Sequence, residues 1–206
     1  DRLRLIEKRD VDELILLDIS ATPNRRGPRF EEIEQLCCNL FCPITVGGGV
    51  RTVADFSRLL RVGADKVSVN TAALQNPDLI DQAAKKFGAQ CVVISLDVER
   101  GKCLSNCGRS AVSLNPVKWA IEAESRGAGE ILLTSIDRDG TQTGYDLDLI
   151  SAVSSAVSIP VVAAGGCGSY EHMAQALKAG AHAVASGAFF QFCEEIGRAS
   201  CRERVS

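Results

Sequence analysis

The sequence predicts an α/β protein built as a (β/α)8 barrel, and three observations carry that prediction. Apolar segments of strand length alternate strictly with segments of helix length. The strand segments are rich in valine and isoleucine and lack polar alternation, as in parallel strands buried on both faces. Pro43 and Pro160, 117 positions apart, each open a short apolar run that ends in glycines. Because two equivalent halves do not readily arise in a doubly wound open sheet, the repeat favours the barrel.

The predicted elements follow one another as strand and helix. Residues 1–8 have a helical composition without a start signal before them. The predicted strands are 12–19, 43–46, 66–70, 90–98, 130–136, 160–164 and 182–186. The predicted helices are 30–39, 53–62, 77–87, 116–126, 147–157 and 170–178, two of which follow the polar start residues Thr52 and Ser169. This count of seven strands predicts a truncated barrel that lacks its first strand and most of its last helix.

Size and composition narrow the class of protein. A chain of 206 residues with 46% hydrophobic and 24% charged residues is expected to form one domain. A net charge of −3 provides no basic face for nucleic acid, and no apolar run approaches the roughly 20 residues of a membrane helix. Nine cysteines without paired spacing motifs, and no signal peptide, indicate a reducing compartment, so we expect a cytoplasmic protein.

The C-terminal residues 194–206 differ in character from the rest of the chain. We interpret them as a non-native tail derived from a sequencing adapter, which leaves residues 1–193 as a partial barrel; the alternative is a genuine basic tail. An unclosed barrel has two exposed strand edges, which favour aggregation. We therefore expect this chain by itself to be poorly active or inactive.

Two glycine-rich turns indicate a phosphate-binding function. Gly47, Gly48 and Gly49 end the first repeated run, and Gly165 and Gly166 end the second. Glycine lets backbone N–H groups approach an oxyanion closely, and a helix N-terminus adds unpaired donors. Either turn alone could be an ordinary connection after a strand. Their recurrence at one offset predicts a ligand with a phosphate at each end.

Functional groups of a barrel sit at the C-terminal ends of its strands. Asp97 follows the apolar run of residues 91–96, where it could act as general acid or base or be a solvated loop residue. Asp18 has the same two interpretations, because Ser20 could make it part of a hydrogen-bonded turn. Residues 137–140 form either a simple turn or a loop that holds the second phosphate.

No metal or cofactor is predicted. His172 and His182 are interpreted as helix-surface and strand-start residues rather than as ligands. Cys103 and Cys107 are separated by three residues in a loop, a spacing that could bind a metal but that we interpret as incidental.

Several motifs resemble one known family. They are residues 12–19, 45–51 (Thr-Val-Gly-Gly-Gly-Val-Arg), 63–67 (Gly-Ala-Asp-Lys-Val) and 127–140. Over about residues 1–192 the chain resembles the cyclase subunit of imidazole glycerol phosphate synthase. The resemblance implies a (β/α)8 barrel that takes ammonia from a glutaminase partner in a heterodimer. It also implies a lyase that closes the imidazole ring of a ribosyl substrate with two phosphates and releases a carboxamide ribonucleotide.

The resemblance also implies roles for individual residues. Asp97 resembles one of two catalytic aspartates, and the repeat offset places the other about 20 residues before Asp1. Residues resembling the first phosphate site are Gly49, Asn70 and Thr71, and those resembling the second are Asp139, Gly140, Gly166, Gly187 and Ala188. Asp18, Gly48, Thr134 and Gly165 complete the predicted substrate-binding set. At the opposite mouth, the residues resembling the ammonia entrance are Glu13, Lys66 and Glu130, and Asp65 resembles a partner-facing residue.

Three alternatives remain open from the sequence. Residues 11–15 and 21–30 resemble a paralogue that serves surface-sugar acetamidino modification, and residues 110–113 depart from the family pattern. The related phosphoribosyl aminoaldose–ketose isomerase shares the barrel and the phosphate loops but handles no ammonia. A non-catalytic barrel that only docks a glutaminase is the third alternative.

Overall fold

The structure is a computed structural model, and it describes residues 11–38, 40–187 and 189. The predictions for residues 1–8, for Ala188 and for the tail 194–206 lie outside the described residues. None of the helices in the described part of the chain has the length and apolar character needed to cross a membrane.

The strands of the described residues form one sheet. They are β1 (Leu14–Leu17), β2 (Ile44–Gly47), β3 (Lys66–Val69), β4 (Val92–Glu99), β5 (Lys102–Ser105), β6 (Ser110–Val112), β7 (Glu130–Ser135), β8 (Val161–Ala164) and β9 (Ala183–Ala185). The order is β1-β2-β3-β4-β7-β8-β9, and each neighbouring pair is parallel. β5 and β6 form an antiparallel hairpin on the end of β4. The predicted parallel α/β architecture is confirmed.

The helices alternate with these strands. They are α1 (Phe30–Cys37), α2 (Val53–Arg61), α3 (Thr71–Gln75), α4 (Asp78–Phe87), α5 (Pro116–Ser125), α6 (Leu147–Ser154) and α7 (Tyr170–Lys178). The polar start residues act as caps: Thr52 and Asp55 form a reciprocal capping box, and Ser169 accepts a hydrogen bond from the His172 amide.

The outer face of the sheet packs against the helices. Val67, Ile94 and Ile131 are fully buried in one core with Phe56 and Leu59 of α2. Because successive strand residues point to opposite faces, the residues between these apolar positions face the barrel interior. The hydrophobic core therefore lies between the helices and the outer face of the sheet, and the inner face of the sheet carries the alternate strand residues.

The sheet is strongly curled. Lys66 on β3 contacts Glu13, next to β1, at 2.9 Å and Glu130 on β7 at 2.7 Å. β1 and β7 are four strand intervals apart in the sheet, which would separate them by about 19 Å if it were flat. One ammonium group can reach both only if the sheet curls around a common interior. The structure is thus a partial (β/α)8 barrel, as predicted.

The two-fold repeat extends to individual hydrogen bonds. α1 and α6, α2 and α7, and β2 and β8 begin and end at positions separated by 117 residues. The Asp65 amide donates to the Ile44 carbonyl, and the equivalent His182 amide donates to the Val161 carbonyl. The half-barrel repeat inferred from glycines and prolines therefore describes the backbone of both halves.

Two local predictions were wrong, and one short helix was not predicted. The segment between β4 and α5, expected to be a loop, contains the β5–β6 hairpin. The predicted strand start at Gln90 lies in a short 3-10 turn, Ala89–Cys91. The helix that was not predicted, α3, begins directly after Asn70.

Candidate active site

The residues predicted to bind substrate lie at one edge of the barrel. Asp18, Gly48, Asn70 and Gly165 each follow the last residue of a parallel strand, and Gly187 follows β9 at a short distance in sequence. Thr134 lies on β7 directly opposite Asp97 of β4. Since all these strands are parallel, their C-terminal ends share one edge, and the predicted site residues converge there.

Asp97 is held by one donor on each carboxylate oxygen. The Ser95 hydroxyl donates to Oδ1 at 3.1 Å, and the Asn70 amide Nδ2 donates to Oδ2 at 2.9 Å. Asn70 Nδ2 also donates to the Leu104 carbonyl of the hairpin at 3.1 Å. Asp97 is therefore fixed by its own strand and by the end of β3.

The surroundings of Asp97 favour its protonated form. Burial is the largest effect and raises the pKa of this carboxyl above its ordinary value of 3.8. Hydrogen bonds from Ser95 and Asn70 act in the opposite direction, and the nearby negative charge of Asp139 adds to the increase. A buried carboxyl with a raised pKa is a suitable group for exchanging protons with a substrate.

The hairpin covers this part of the site. The Asn106 amide at its tip donates to Thr71 Oγ1 at 2.8 Å, next to the contact between Leu104 and Asn70. Asn70 Oδ1 is buried and has no hydrogen-bond partner within the described residues. The end of β3 therefore offers one unused acceptor and one hydroxyl beside Asp97.

The glycine turns require glycine. Gly48 and Gly165 have φ values of 100° and 89°, in the region that side chains disfavour. A Cβ atom on Gly48 would overlap the Asp18 carbonyl oxygen, and one on Gly165 would overlap the Ser135 carbonyl oxygen. Asp18 and Ser135 are themselves 117 residues apart, so each glycine turn contacts the end of its neighbouring strand, β1 or β7, in the same way.

Asp18 is saturated with donors. Its Oδ1 accepts from the Ser20 amide and hydroxyl, and its Oδ2 pairs with Arg26 at 2.8 Å. Burial alone would raise the pKa of Asp18, but the hydrogen bonds from Ser20 and Arg26 outweigh it and hold that pKa below its ordinary value. Asp18 stays ionised and orders the loop between β1 and α1.

The loop after β7 forms the other side of the site. The Asp139 amide donates to the Ser135 carbonyl at 3.0 Å, and Gly140 follows with a φ of 76°. The Gly144 amide donates to the Gly166 carbonyl at 2.8 Å, which joins this loop to the second glycine turn. Residues 139–140 and 165–166 are thus brought to one side of the barrel mouth.

The charged cluster predicted for the opposite mouth is formed. Lys66 Nζ bridges Glu13 and Glu130 at the N-terminal ends of their strands. Burial lowers the pKa of Lys66, but hydrogen bonds to Glu130 and Glu13 outweigh this and leave the pKa above 10.5. Asp65 accepts a hydrogen bond from the Ile44 amide at 2.8 Å and is otherwise exposed.

Two hydroxyls lie between the ends of the barrel. Thr45 and Ser68 are 1% and 2% exposed, and their side-chain oxygens have no hydrogen-bond partner in the described part of the chain. They belong to the strand face opposite the helix-covered core.

The imidazoles and thiols do not assemble a metal site among residues 11–38, 40–187 and 189. The Nδ1 atoms of His172 and His182 accept hydrogen bonds from the Gly168 and Val161 amides. Burial raises the pKa of Cys103 to about 11, so this thiol stays protonated.

Sequence reasoning missed Ser95 and the hairpin. Ser95 is two positions before Asp97 on the same strand, so the two-residue strand period was the signal that could have placed its hydroxyl beside the carboxyl. The contact between Asn106 and Thr71 had no such signal, because it depends on how the hairpin folds back.

The chain is similar to known proteins over most of its length. The chain is 49% identical over 186 residues to the imidazole glycerol phosphate synthase subunit HisF of Dehalococcoides mccartyi, a match that covers 88% of this chain and 74% of that protein. It is 47% identical over 188 residues to the subunit of the same name from Kocuria rhizophila, again with 88% and 74% coverage. The histidine biosynthesis protein family matches residues 1–195. The chain therefore belongs to the histidine biosynthesis protein family.

Proposed function

We propose that this protein is the cyclase subunit of an imidazole glycerol phosphate synthase. It uses ammonia to close the imidazole ring of a ribosyl substrate with two phosphates, and it releases imidazole glycerol phosphate and a carboxamide ribonucleotide. The observation that carries the proposal is the position of Asp97: a largely buried carboxyl at the barrel mouth, between two glycine turns of the same design. The names of the two HisF relatives support the same activity.

Asp97 is proposed as the catalytic carboxyl. Its raised pKa keeps the proton-bearing form available at a higher pH than for a free aspartate. Ring closure requires protons to leave the attacking nitrogen and to reach departing oxygen, and a carboxyl fixed by Ser95 and Asn70 can exchange them without searching. The family resemblance implies a second catalytic aspartate, which the repeat offset places about 20 residues before Asp1.

The two ends of the substrate are proposed to bind on opposite sides of Asp97. Gly49, Asn70 and Thr71 would hold one phosphate, where the Thr71 hydroxyl accepts from the Asn106 amide and keeps its own proton to donate to a phosphate oxygen. The residues proposed for the other phosphate are Asp139, Gly140, Gly165, Gly166, Gly187 and Ala188. Asp18, Gly48 and Thr134 are proposed to contact the part of the substrate between its two phosphates. Binding of both phosphates would place the reacting centre of the substrate next to the catalytic carboxyl.

Ammonia is proposed to enter at the opposite mouth. Glu13, Lys66 and Glu130 form a charged cluster there, at the far end of the interior from Asp97. A glutaminase subunit docked on this mouth, in contact with Asp65, would release ammonia into the barrel. The proposed assembly is thus a heterodimer of this chain with a glutaminase.

The test replaces Asp97 with asparagine in the protein expressed from its complete gene. Ammonium and the two-phosphate ribosyl substrate are supplied, and imidazole glycerol phosphate is measured. Asp97→Asn should lose at least about 100-fold in kcat while a phosphate-bearing ligand still binds, because general acid–base catalysis contributes on this scale. Asp148→Asn, an exposed carboxylate in the first turn of α6, serves as the control. Full turnover by Asp97→Asn would refute the assignment.

The same variant separates a docking-only barrel from an enzyme. If the chain only activates a glutaminase, the parent protein should form no ring-closed product from ammonium. Asp97→Asn should then stimulate the glutaminase as strongly as the parent does. A dependence of product formation on ammonium argues against the isomerase, which handles no ammonia.

A further inference from the structure

The hydroxyl of Ser95 lies beside the carboxyl that we propose as catalytic. Ser95 and Asp97 lie two positions apart on β4, so both side chains point to the barrel interior. Ser95 is 8% exposed, and its Oγ lies 3.1 Å from Asp97 Oδ1. A buried hydroxyl is unfavourable unless it is hydrogen-bonded, and this carboxylate oxygen supplies the partner.

The strand places this hydroxyl rigidly. β4 is paired in parallel with β3 on one side and with β7 on the other, and Ser95 lies opposite Leu132 of β7. With Asn70 on Oδ2 and Ser95 on Oδ1, donors from two strands hold opposite oxygens of the carboxyl. The plane of the Asp97 carboxyl is then fixed before a substrate arrives.

We propose that Ser95 is a positioning residue for the reaction of this site: its hydroxyl holds Oδ1 of Asp97 so that the carboxyl is presented to the substrate in one orientation. The kinetic part of this inference depends on the proposed function, whereas the structural part depends only on the contact between the two side chains. Ser95 does not itself react.

The same hydroxyl also influences the protonation of Asp97. A donor to the charged form lowers the pKa of a carboxyl, and Ser95 is the largest such influence on Asp97. Within the described residues, the other titratable groups that face Asp97 are Asp139, from the loop after β7, and Cys107, at the tip of the hairpin. Neither lies on β4, so a change at Ser95 leaves both in place.

Ser68 provides the matched control. It also lies on a barrel strand with its side chain inward and is 2% exposed, but its Oγ has no hydrogen-bond partner within the described residues. Ser68→Ala and Ser95→Ala therefore remove the same atom from similar surroundings. They differ in whether that atom holds Asp97.

The experiment measures the pKa of Asp97 directly in the protein expressed from its complete gene. The side-chain carboxyl carbon is followed by NMR in protein labelled at aspartate, and Asp97→Asn identifies its signal. Ser95→Ala should raise the pKa of Asp97 because a donor to the charged form is lost, and Ser68→Ala should leave it unchanged. Ser95→Thr, which retains the hydroxyl, should give an Asp97 pKa closer to that of the parent than Ser95→Ala does.

Kinetics provide the second readout. In Ser95→Ala we expect kcat to fall about tenfold, the equivalent of one hydrogen bond to a charged group, with KM within about twofold of the parent. The acidic limb of the pH profile of kcat should move to higher pH together with the NMR titration. If Ser95→Ala does not fold, Ser95→Cys, a weaker donor of similar size, should move the pKa in the same direction.

The two proposals fail in different ways. If the parent protein makes no product from ammonium, the proposed function fails, while the NMR comparison still tests the contact. If Ser95→Ala and Ser68→Ala give the same Asp97 pKa and the same kcat, Ser95 has only a structural role and the inference is overturned.

Discussion

Replacement of Lys66 by methionine tests the charged cluster that we place at the ammonia entrance. Methionine keeps most of the aliphatic stem and removes the ammonium group, so packing changes little while two carboxylates lose their common partner. Glu130 lies only 2.7 Å from Lys66 Nζ, and its side chain is 13% exposed. Glu13 lies at 2.9 Å, but its side chain is 46% exposed.

These exposures set the expected magnitude. A charge-assisted hydrogen bond that is largely withdrawn from water contributes about 1.5–3 kcal/mol, which applies to Lys66 and Glu130. An exposed ion pair contributes at most about 1 kcal/mol, which applies to Glu13. Lys66→Met should therefore lower the free energy of unfolding by about 2–4 kcal/mol, measured by urea denaturation at neutral pH.

A second substitution tests the cause of the loss. Glu130→Gln in the Lys66→Met background removes the unpaired, mostly buried carboxylate and should restore about half of the lost stability. The exposed Lys118→Met, on α5, should stay within about 0.5 kcal/mol of the parent. If Lys66→Met matches Lys118→Met, the cluster has no energetic coupling and the reasoning is refuted.

The pH dependence of this loss has a defined sign. Because the pKa of Lys66 is raised above 10.5 in the folded protein, the stabilisation is fully present below the unfolded pKa. It disappears as the pH rises through the folded pKa. The difference between Lys66→Met and the parent should therefore be constant near neutral pH and shrink in strongly alkaline solution.

Three further substitutions test the active-site mouth. Asp97 has a raised pKa, so the folded protein keeps this proton to a higher pH than the unfolded chain and loses stability as the pH rises from the ordinary pKa of 3.8 through the folded pKa. Asp97→Asn does not titrate and should gain stability relative to the parent over that window, by about 1.4 kcal/mol for each tenfold difference between the folded and unfolded acid dissociation constants. Gly165→Ala should cost about 2–4 kcal/mol, because it combines a positive φ with an overlap with the Ser135 carbonyl oxygen. Tyr145→Phe should cost about 1–2 kcal/mol, because the 3% exposed Tyr145 donates its hydroxyl to the Ala185 carbonyl at 3.1 Å.

Each of these three predictions has an outcome that would contradict it. Gly101 also has a positive φ, but a Cβ atom there meets nothing within 4 Å, so Gly101→Ala should cost only about 1 kcal/mol. Equal losses at Gly101 and Gly165 would contradict the overlap. A pH-independent difference for Asp97→Asn would contradict the raised pKa, and an unchanged urea midpoint for Tyr145→Phe would contradict the hydrogen bond to β9.

The repeated half-barrel was predictable because local signals and the repeat agree. The helix predicted for residues 170–178 matches Tyr170–Lys178, where Ser169 provides a cap and Gly180 follows. The convergence of Asp97 and Asn70 followed from the barrel rule that strand ends share one edge. Hydrophobic periodicity and turn residues are local signals. They are sufficient to predict the strands and helices where the fold repeats one pattern.

The remaining features depend on contacts that sequence patterns do not encode. The β5–β6 hairpin follows Arg100 and Gly101, both with positive φ, but its segment has no strong two-residue alternation. The lowered pKa of Asp18 depends on hydrogen bonds from Ser20 and from Arg26, and Arg26 lies eight residues away across a loop. The orientation of Asp97 depends on Ser95, whose side chain was not distinguished from other small residues of a buried strand. Each requires the tertiary structure.

The most direct test of the central claim follows the nitrogen atom. The protein expressed from its complete gene is incubated with the two-phosphate ribosyl substrate and 15N-labelled ammonium, and the product is analysed by mass spectrometry and NMR. We expect imidazole glycerol phosphate with a single labelled nitrogen in the ring, and loss of this product in Asp97→Asn. A parent protein that binds the substrate yet forms no labelled imidazole would contradict the proposed cyclase activity.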